Sequence, residues 1–421
     1  MLLLLNTAHG QVQGRIADTA APAFSLSPDS LGKINQLVVS GYIEPEFQVA
    51  QAKGIASFSG GNFSLYSNNR FIIRRGRPRI TYKRLNAQKQ LLAEVVFEID
   101  GTQRGISINE CWGKLYENKW QVFSFSTGML VRPFGFELSQ PTRLMETPER
   151  GRNSQTLMRG EVDLGAMVCF EPRNRHDFLQ YIKGTLGVFN GQGLTAPGEY
   201  DGFKDIIARA ALKPFPVLGK KLFLSGGLSM LNGGIVQGTP YVYWVGTGAA
   251  SKQFMVDSSA SNIGQKSPRE YYGIDAQLKL KQRAGFAEIR AEYWWGTQTA
   301  TAGSSETPAT LLTEPSYIRR YNGAFFYLLC NIFNERHQLV GKLDWYDPNA
   351  AIKGTELGSL VHTTAADIKY TTLGFGYNYY PSDNLHIMLW YDRVANERTA
   401  LPGYSSDLKD NVFTCRLQFR F

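Results

Sequence analysis

From Gln36 to Phe421 the sequence keeps returning to one pattern: apolar and polar residues take strict turns, mostly for ten to fourteen residues at a time. In the closing NVFTCRLQFRF, Phe413, Cys415, Leu417, Phe419 and Phe421 share one parity, and Thr414, Arg416, Gln418 and Arg420 the other. Successive side chains of a β-strand point to opposite faces, so such a segment is a strand with one apolar and one polar face. Sixteen segments fit, at about 36–49, 70–83, 90–100, 106–117, 120–131, 160–170, 178–189, 204–213, 221–231, 271–281, 286–296, 318–330, 336–346, 369–380, 384–394 and 411–421. Strands of soluble domains average about 5–6 residues, whereas a tilted strand crossing a bilayer needs about 9–11. Length separates the two readings better than alternation does. Segments 221–231 and 318–330 carry few polar residues.

The connections alternate as well, short turns with long loops; only Asp100–Gly105 is short where a long one is due. That asymmetry belongs to outer-membrane barrels, and an even strand count puts both ends on the short-turn side. A sheet in lipid must close, because an open edge would leave peptide groups unpaired in hydrocarbon. The expected fold is an all-β, transmembrane, antiparallel barrel of sixteen strands, integral to a Gram-negative outer membrane. Its turns would be periplasmic and its long loops extracellular. No linker interrupts the texture, so 36–421 reads as one barrel. Leu2–Leu5 with Ala8 and Gly10 mark 1–10 as a signal-peptide remnant, and 11–35 as a periplasmic lead-in.

Other chemistry finds little footing. The four cysteines have no CxxC or zinc spacing, and they read as unpaired wall residues with no metal or cofactor. The five histidines form no HxxxH, and GxSxG, Walker A and GxGxxG motifs are missing. His337 and Asp344, seven residues apart on one strand, would lie on opposite faces. An enzyme is not expected. A formal charge of +9 without a basic run interleaved with aromatics suggests anionic solutes or lipopolysaccharide as partners, not nucleic acid.

The stretch from Phe71 to Met167 resembles the phosphate-selective porin O and P family. The resemblance is carried by RFIIRRGRPRITYK, then LLAEVVFEIDG, then GMLVRPFGFELSQPTRLMETPERG. It implies a porin of sixteen strands, usually a homotrimer, whose third long loop folds into the lumen. Residues 132–159 hold that position. The best-known members draw phosphate with lumen arginines and constriction lysines. Here the loop has Arg132, Arg143, Arg150 and Arg152 but no lysine.

Parity assigns the pore lining. Arg75, Arg77 and Arg79 share one face of the second strand, opposite Ile72, Gly76, Ile80 and Tyr82. Lys183, Arg209, Lys279, Arg290, Arg320, Arg416 and Arg420 also fall inward, among carboxylates such as Glu44, Glu94, Glu98, Asp275 and Asp344. Glu94 and Glu98 on the next strand could neutralise the arginine ladder by cross-strand pairing, or the ladder could serve as an anion track. Arg132, Phe134, Glu137, Arg143, Glu149, Arg150 and Arg152 are the candidate constriction residues. The expected function is passive diffusion of small hydrophilic solutes with a modest anion preference. The alternative is a barrel that scaffolds a larger surface complex through loops 232–270 and 297–317, with little channel activity.

Overall fold

The computed structural model describes residues 24–25 and 35–421, apart from 195, 220 and 249–251. The expected leader over 1–10 lies outside these residues. So does the lead-in, except for Asn35 and for Phe24–Ser25, which pairs antiparallel with Val38 and Val39.

Sixteen strands form the barrel: β1 (Asn35–Ala50), β2 (Asn69–Leu85), β3 (Leu91–Thr102), β4 (Gly105–Tyr116), β5 (Phe123–Val131), β6 (Val162–Phe170), β7 (Ile182–Phe189), β8 (Asp205–Leu218), β9 (Leu222–Val236), β10 (Lys266–Gln282), β11 (Gly285–Ala300), β12 (Ser316–Ile332), β13 (His337–Asp347), β14 (Tyr370–Ser382), β15 (Leu385–Asn396) and β16 (Val412–Arg420). Each pairs antiparallel with the next, and β16 returns to β1, which closes the sheet. At that seam Gly41 and Phe421 exchange two backbone hydrogen bonds of 2.9 and 3.0 Å. A Cβ on Gly41 would come within 2.6 Å of the Phe421 ring, so glycine lets the aromatic terminus lie against the strand.

The residue faces are inverted relative to a soluble protein. Ile274, Leu278, Ile289, Leu328, Leu373 and Phe375 are exposed, while Asp275, Gln277, Glu288, Arg290 and Asp344 are buried. Lipid covers the first set and the lumen encloses the second. The four cysteines are free.

Two parity assignments need correction. Ile43 pairs with Gly76 but Pro45 pairs with Ile73, so Arg74 and Arg75 together face the single residue Glu44. This bulge switches the faces of β2. Ile72, opposite Glu46, therefore faces the lumen, while Phe71 and Ile73 are exposed. In β12 the buried residues are Tyr317, Arg319, Tyr321, Phe325 and Tyr327, so Arg319 points inward and Arg320 is exposed.

The lumen is not polar throughout. Phe189, Ile207, Leu231, Tyr271, Trp294, Tyr321 and Tyr346 line one side of the wall as an apolar patch, joined by Leu130. Phe325, Tyr327, Leu329, Val340, Met388 and Trp390 form a second patch. These inward apolar residues explain why segment 318–330 lacks a polar face, whereas 221–231 turns only the small polar Ser225 and Ser229 inward beside Leu231.

Gly128 in β5 has φ of +125°, and an added Cβ would sit 2.3 Å from the Cys111 carbonyl oxygen. Gly128→Val should cost about 1–3 kcal/mol through backbone strain and local displacement of β4. The expected outcome is unfolding of the compact barrel at lower temperature in dodecyl sulfate, read by its electrophoretic shift.

Candidate functional site

Residues 132–161 leave β5 at the long-loop end and turn into the barrel. Gly135 makes the turn at φ +66°, where an added Cβ would come 1.9 Å from Glu292 Oε1. The next amides, of Phe136 and Glu137 in the short helix α1 (Phe136–Ser139), donate to Glu292 of β11 at 2.9 and 3.0 Å. Phe134, fully buried, packs edge-on against Trp294 with centroids 4.7 Å apart. Leu138 and Leu157 dock on the same patch, Leu157 from the second helix α2 (Arg152–Leu157). Three such side chains stabilise the loop by about 1.5–3 kcal/mol each if fully removed from water.

On the far side the loop is held by charge. The Glu149 carboxylate accepts from Arg74 at 2.5 and 2.9 Å, from Arg75 at 2.8 Å and from Arg416 at 3.4 Å. Glu146 takes both terminal nitrogens of Arg290 at 2.9 Å. Glu161 pairs with Arg77 at 3.0 Å and with Arg150. Glu137 accepts from Tyr327 at 2.7 Å and from the Gly151 amide at 2.8 Å. Asn378 and Arg420 reach the loop carbonyls of Glu146 and Arg143. Apolar contact and the Glu146–Arg290 pair on the β11 flank, with the Arg74, Arg75, Arg77 and Arg416 pairs on the β2 and β16 flank, thus stretch the loop across the lumen.

The sequence-predicted residues divide accordingly. Arg75 is held by Glu44 and Glu149, Arg77 by Asp100 and Glu161, and Arg79 by Glu98 and Glu110. Glu98 therefore meets only one rung of the ladder, and Glu94 lies near Lys83 instead. Arg209 pairs with Asp275, Lys279 with Glu288, Arg290 with Glu146 and Glu288, and Arg416 with Glu44, Glu46 and Glu149. Lys183 pairs with Glu171, and Arg420 donates to Gln418. Arg132 donates to the carbonyls of Arg159 and Gly160 and is buried. Arg143 is half-buried. Arg150 braces the loop through the carbonyls of Glu137 and Gln140. Arg74 escaped the sequence reading because a regular strand would turn it toward lipid; its signal was the doubled arginine itself.

Arg152 is different. Its guanidinium carbon lies 4.2 Å from the Phe58 ring centroid and 4.0 Å from that of Tyr370. Among the described residues its side chain has no ion pair or hydrogen bond, and its buried Nε has no partner. It lines both a cavity of about 490 Å³ between the long loops and a smaller inner one of about 30 Å³. Lys53, Lys409, Glu306 and Asp410 also line the larger cavity.

Burial alone would raise the Glu149 carboxyl, but Arg74, Arg75 and Arg416 hold it well below the usual carboxylate range. Burial pulls the Arg150 guanidinium down to about 10, still charged at neutral pH. A carboxylate with a lowered folded-state pKa stabilises fully above its unfolded value of about 4.3, and that stabilisation is lost only as pH falls through the folded value. The clamp should therefore hold at pH 4. Glu149→Gln leaves Arg74 without its acid and removes one partner each from Arg75 and Arg416, which keep Glu44 and Glu46, and should cost about 3–5 kcal/mol, as breaking a buried ion pair does. Its expected signature is a noisier open-channel current at pH 7 and earlier thermal unfolding.

Comparison with known proteins matches this geometry to a fold. Residues 338–421 match the family described as Phosphate-selective porin O and P. The match covers β13–β16, not the stretch from Phe71 to Met167, so the likeness beyond that stretch is more than architectural. Comparison with curated protein sequences finds no significant match. Among solved structures, Pseudomonas putida OprB superposes with a TM-score of 0.58 at 10% identity, covering 93% of this chain and 96% of that one. The outer membrane channel DcaP of Acinetobacter baumannii gives 0.53 at 8% identity, covering 92% and 97%. The trimer form of OmpT, an outer membrane protein of Vibrio cholerae, gives 0.50 at 7% identity, covering 92% and 100%. The chain is an integral outer-membrane barrel of the porin fold, and its last four strands match the family described as Phosphate-selective porin O and P.

Proposed function

We propose that the barrel is a passive channel for small hydrophilic solutes with a modest preference for anions, phosphate-like ones included, and that it works as a homotrimer in contact with outer-membrane lipid and lipopolysaccharide. The observation that carries this reading is the distribution of paired and unpaired charge along the lumen. In the neck, wall arginines and loop carboxylates cancel: Arg75, Arg77, Arg79, Arg209, Arg290 and Arg416 each meet one or more acids. At the mouth the balance leans positive. Arg152 has no acid partner among the described residues, and Lys53 and Lys409 line the same cavity. Of the two acids there, Glu306 is engaged by Arg159 at 3.2 Å. Burial pushes the other, the Asp410 carboxyl, up to about 6 against the pull of Arg152, so at neutral pH it stays mostly ionised and offsets part, not all, of the three cations. Lining charges set the field felt by a passing ion, so a cationic mouth above a compensated neck favours anions weakly. Paired arginines add spare N–H donors along the wall.

The external loops suit a pore mouth better than a scaffold. Within loop 237–265 a hairpin, Val242–Thr247 with Lys252–Asp257, lies back on the wall, its first strand parallel to Ser316–Ile318 of β12. Val245 and Phe254 pack against Ile352, Leu357 and Ile368 of the neighbouring loop.

The experiment is the reversal potential of the purified chain in planar bilayers under a KCl gradient. The wild type should favour chloride over potassium. Arg152→Ala should lower that ratio about two- to fivefold, since a unit charge at ~4 Å in water is worth about 1 kcal/mol. A cation-selective wild type, or an Arg152→Ala channel of unchanged selectivity, would refute the anion preference.

A further inference from the structure

The mouth cavity has a composition that an ion funnel does not require. Its lining includes Ile55, Pro348, Ile368, Tyr370, Tyr404 and Leu408, a largely apolar surround for one guanidinium. That guanidinium, Arg152, is held over the rings of Phe58 and Tyr370. Cation–π contact with two rings occupies the faces of the planar group and leaves its N–H edge as the part able to bond. Burial lowers its pKa while Tyr370, Asp344, Asp410 and Asp392 act to raise it, so the group stays cationic yet poorly hydrated. Of the acids near it, Asp344 is engaged by Lys342 at 3.2 Å and Asp392 by Ser59 and Trp390 at 2.7 Å, whereas Asp410, on the wall of the same cavity, makes no bond to Arg152 and keeps a buried Oδ1 without a partner.

Its Nε is buried without a partner, and the half-buried side chain leaves its terminal N–H groups open to the cavity, where they can take an acceptor. The planar fork fits a carboxylate bidentately. The volume, about 490 Å³, lies within the usual range for small-molecule sites, about 300–1,000 Å³. An inorganic oxyanion would lose its hydration against Ile55, Pro348, Ile368 and Leu408 and gain nothing there. A carboxylate carrying an apolar or aromatic body would use both halves of the surface. We propose that this cavity is a capture site for small organic carboxylates with an apolar body: Arg152 binds the carboxylate, and Ile55, Ile368, Tyr370 and Tyr404 take the body. The site deepens the channel reading by naming the solute class at the mouth, but its existence does not depend on conduction.

The test is isothermal titration of benzoate into the full chain in detergent micelles at pH 7, with acetate and inorganic phosphate as comparison probes. Saturable one-site binding of benzoate is expected, with acetate and phosphate each about tenfold weaker or more, as loss of the apolar body implies. Arg152→Gln should weaken benzoate about tenfold or more. Arg152→Lys keeps the charge but loses the fork, and should weaken it about threefold or more. Should Arg152→Gln fail to fold, the lysine variant and the two comparison probes still decide. Absence of benzoate binding, phosphate binding as tight as benzoate, or equal binding by wild type and folded variants would overturn the proposal. Current measured in parallel keeps the two readings apart. A conducting chain that does not bind benzoate loses only the capture site, and a binding chain that does not conduct loses only the channel.

Discussion

In hydrocarbon a peptide group has no water to turn to, and nearly everything else in this molecule follows from that. The strands must pair on both edges, so β16 has to find β1, and the seam keeps one register from Val412–Ala50 to Arg420–Tyr42, interrupted only opposite Glu44 and Pro45. Closure then fixes an inside and an outside. Along β10, Tyr272, Ile274, Leu278 and Leu280 meet lipid, whereas Asp275 and Gln277 are enclosed. Fourteen or so residues of alternation are therefore a consequence of bilayer thickness acting on a two-residue repeat.

Closure also crowds charge into a confined space, where an unpaired ion is expensive and a paired one is tolerable. The wall cannot pair all its own arginines. β2 presents Arg74, Arg75, Arg77 and Arg79, and β1 supplies Glu44 alone to Arg75. β3 and β4 supply Asp100 to Arg77 and Glu98 and Glu110 to Arg79, and the third loop completes the set, sending Glu149 to the bulged pair and Glu161 to Arg77. The ion pairs are thus a specification of where the loop lies more than a source of net stability. The apolar anchor of Phe134, Leu138 and Leu157 provides stabilisation on the opposite flank, and the loop spans the lumen because its two attachments lie on opposite walls.

The sheet was legible because its rule is local. All sixteen strands lie where alternation put them, although β9 and β10 run farther into the loop end, to Val236 and from Lys266, where the pattern fades. Legibility failed where a residue's face depends on a partner. Only the doubled arginine after Ile73 hints that β2 gains a residue opposite Glu44, and that residue turns Arg74 inward and Ile72 with it. Arg319 and Arg320 are chemically identical neighbours, and only the buried Asp367, forty-eight positions on, tells them apart. The constriction loop could be placed by its length and position. Its partners could not, because Glu149 meets Arg416 across 267 positions of chain.

A count of lumen arginines therefore overstates what a solute would meet. A guanidinium paired with a carboxylate presents a dipole, whose field fades within a few ångströms, whereas an unpaired one presents a charge whose reach is set by the Debye length, about 8–10 Å in physiological salt. By that measure Arg75 and Arg416, enclosed by Glu44, Glu46 and Glu149, belong to the architecture of the neck. Arg152 belongs to its chemistry. It stands one residue beyond the PERG turn, held by Phe58 and Tyr370 rather than by an acid. Aromatic rings can fix a cation in place without cancelling its charge, which a carboxylate cannot do. The same loop thus spends its glutamates on holding its position and leaves one arginine restrained by rings, with Asp344, Asp392 and Asp410 acting on it only at longer range, at the junction of the two cavities.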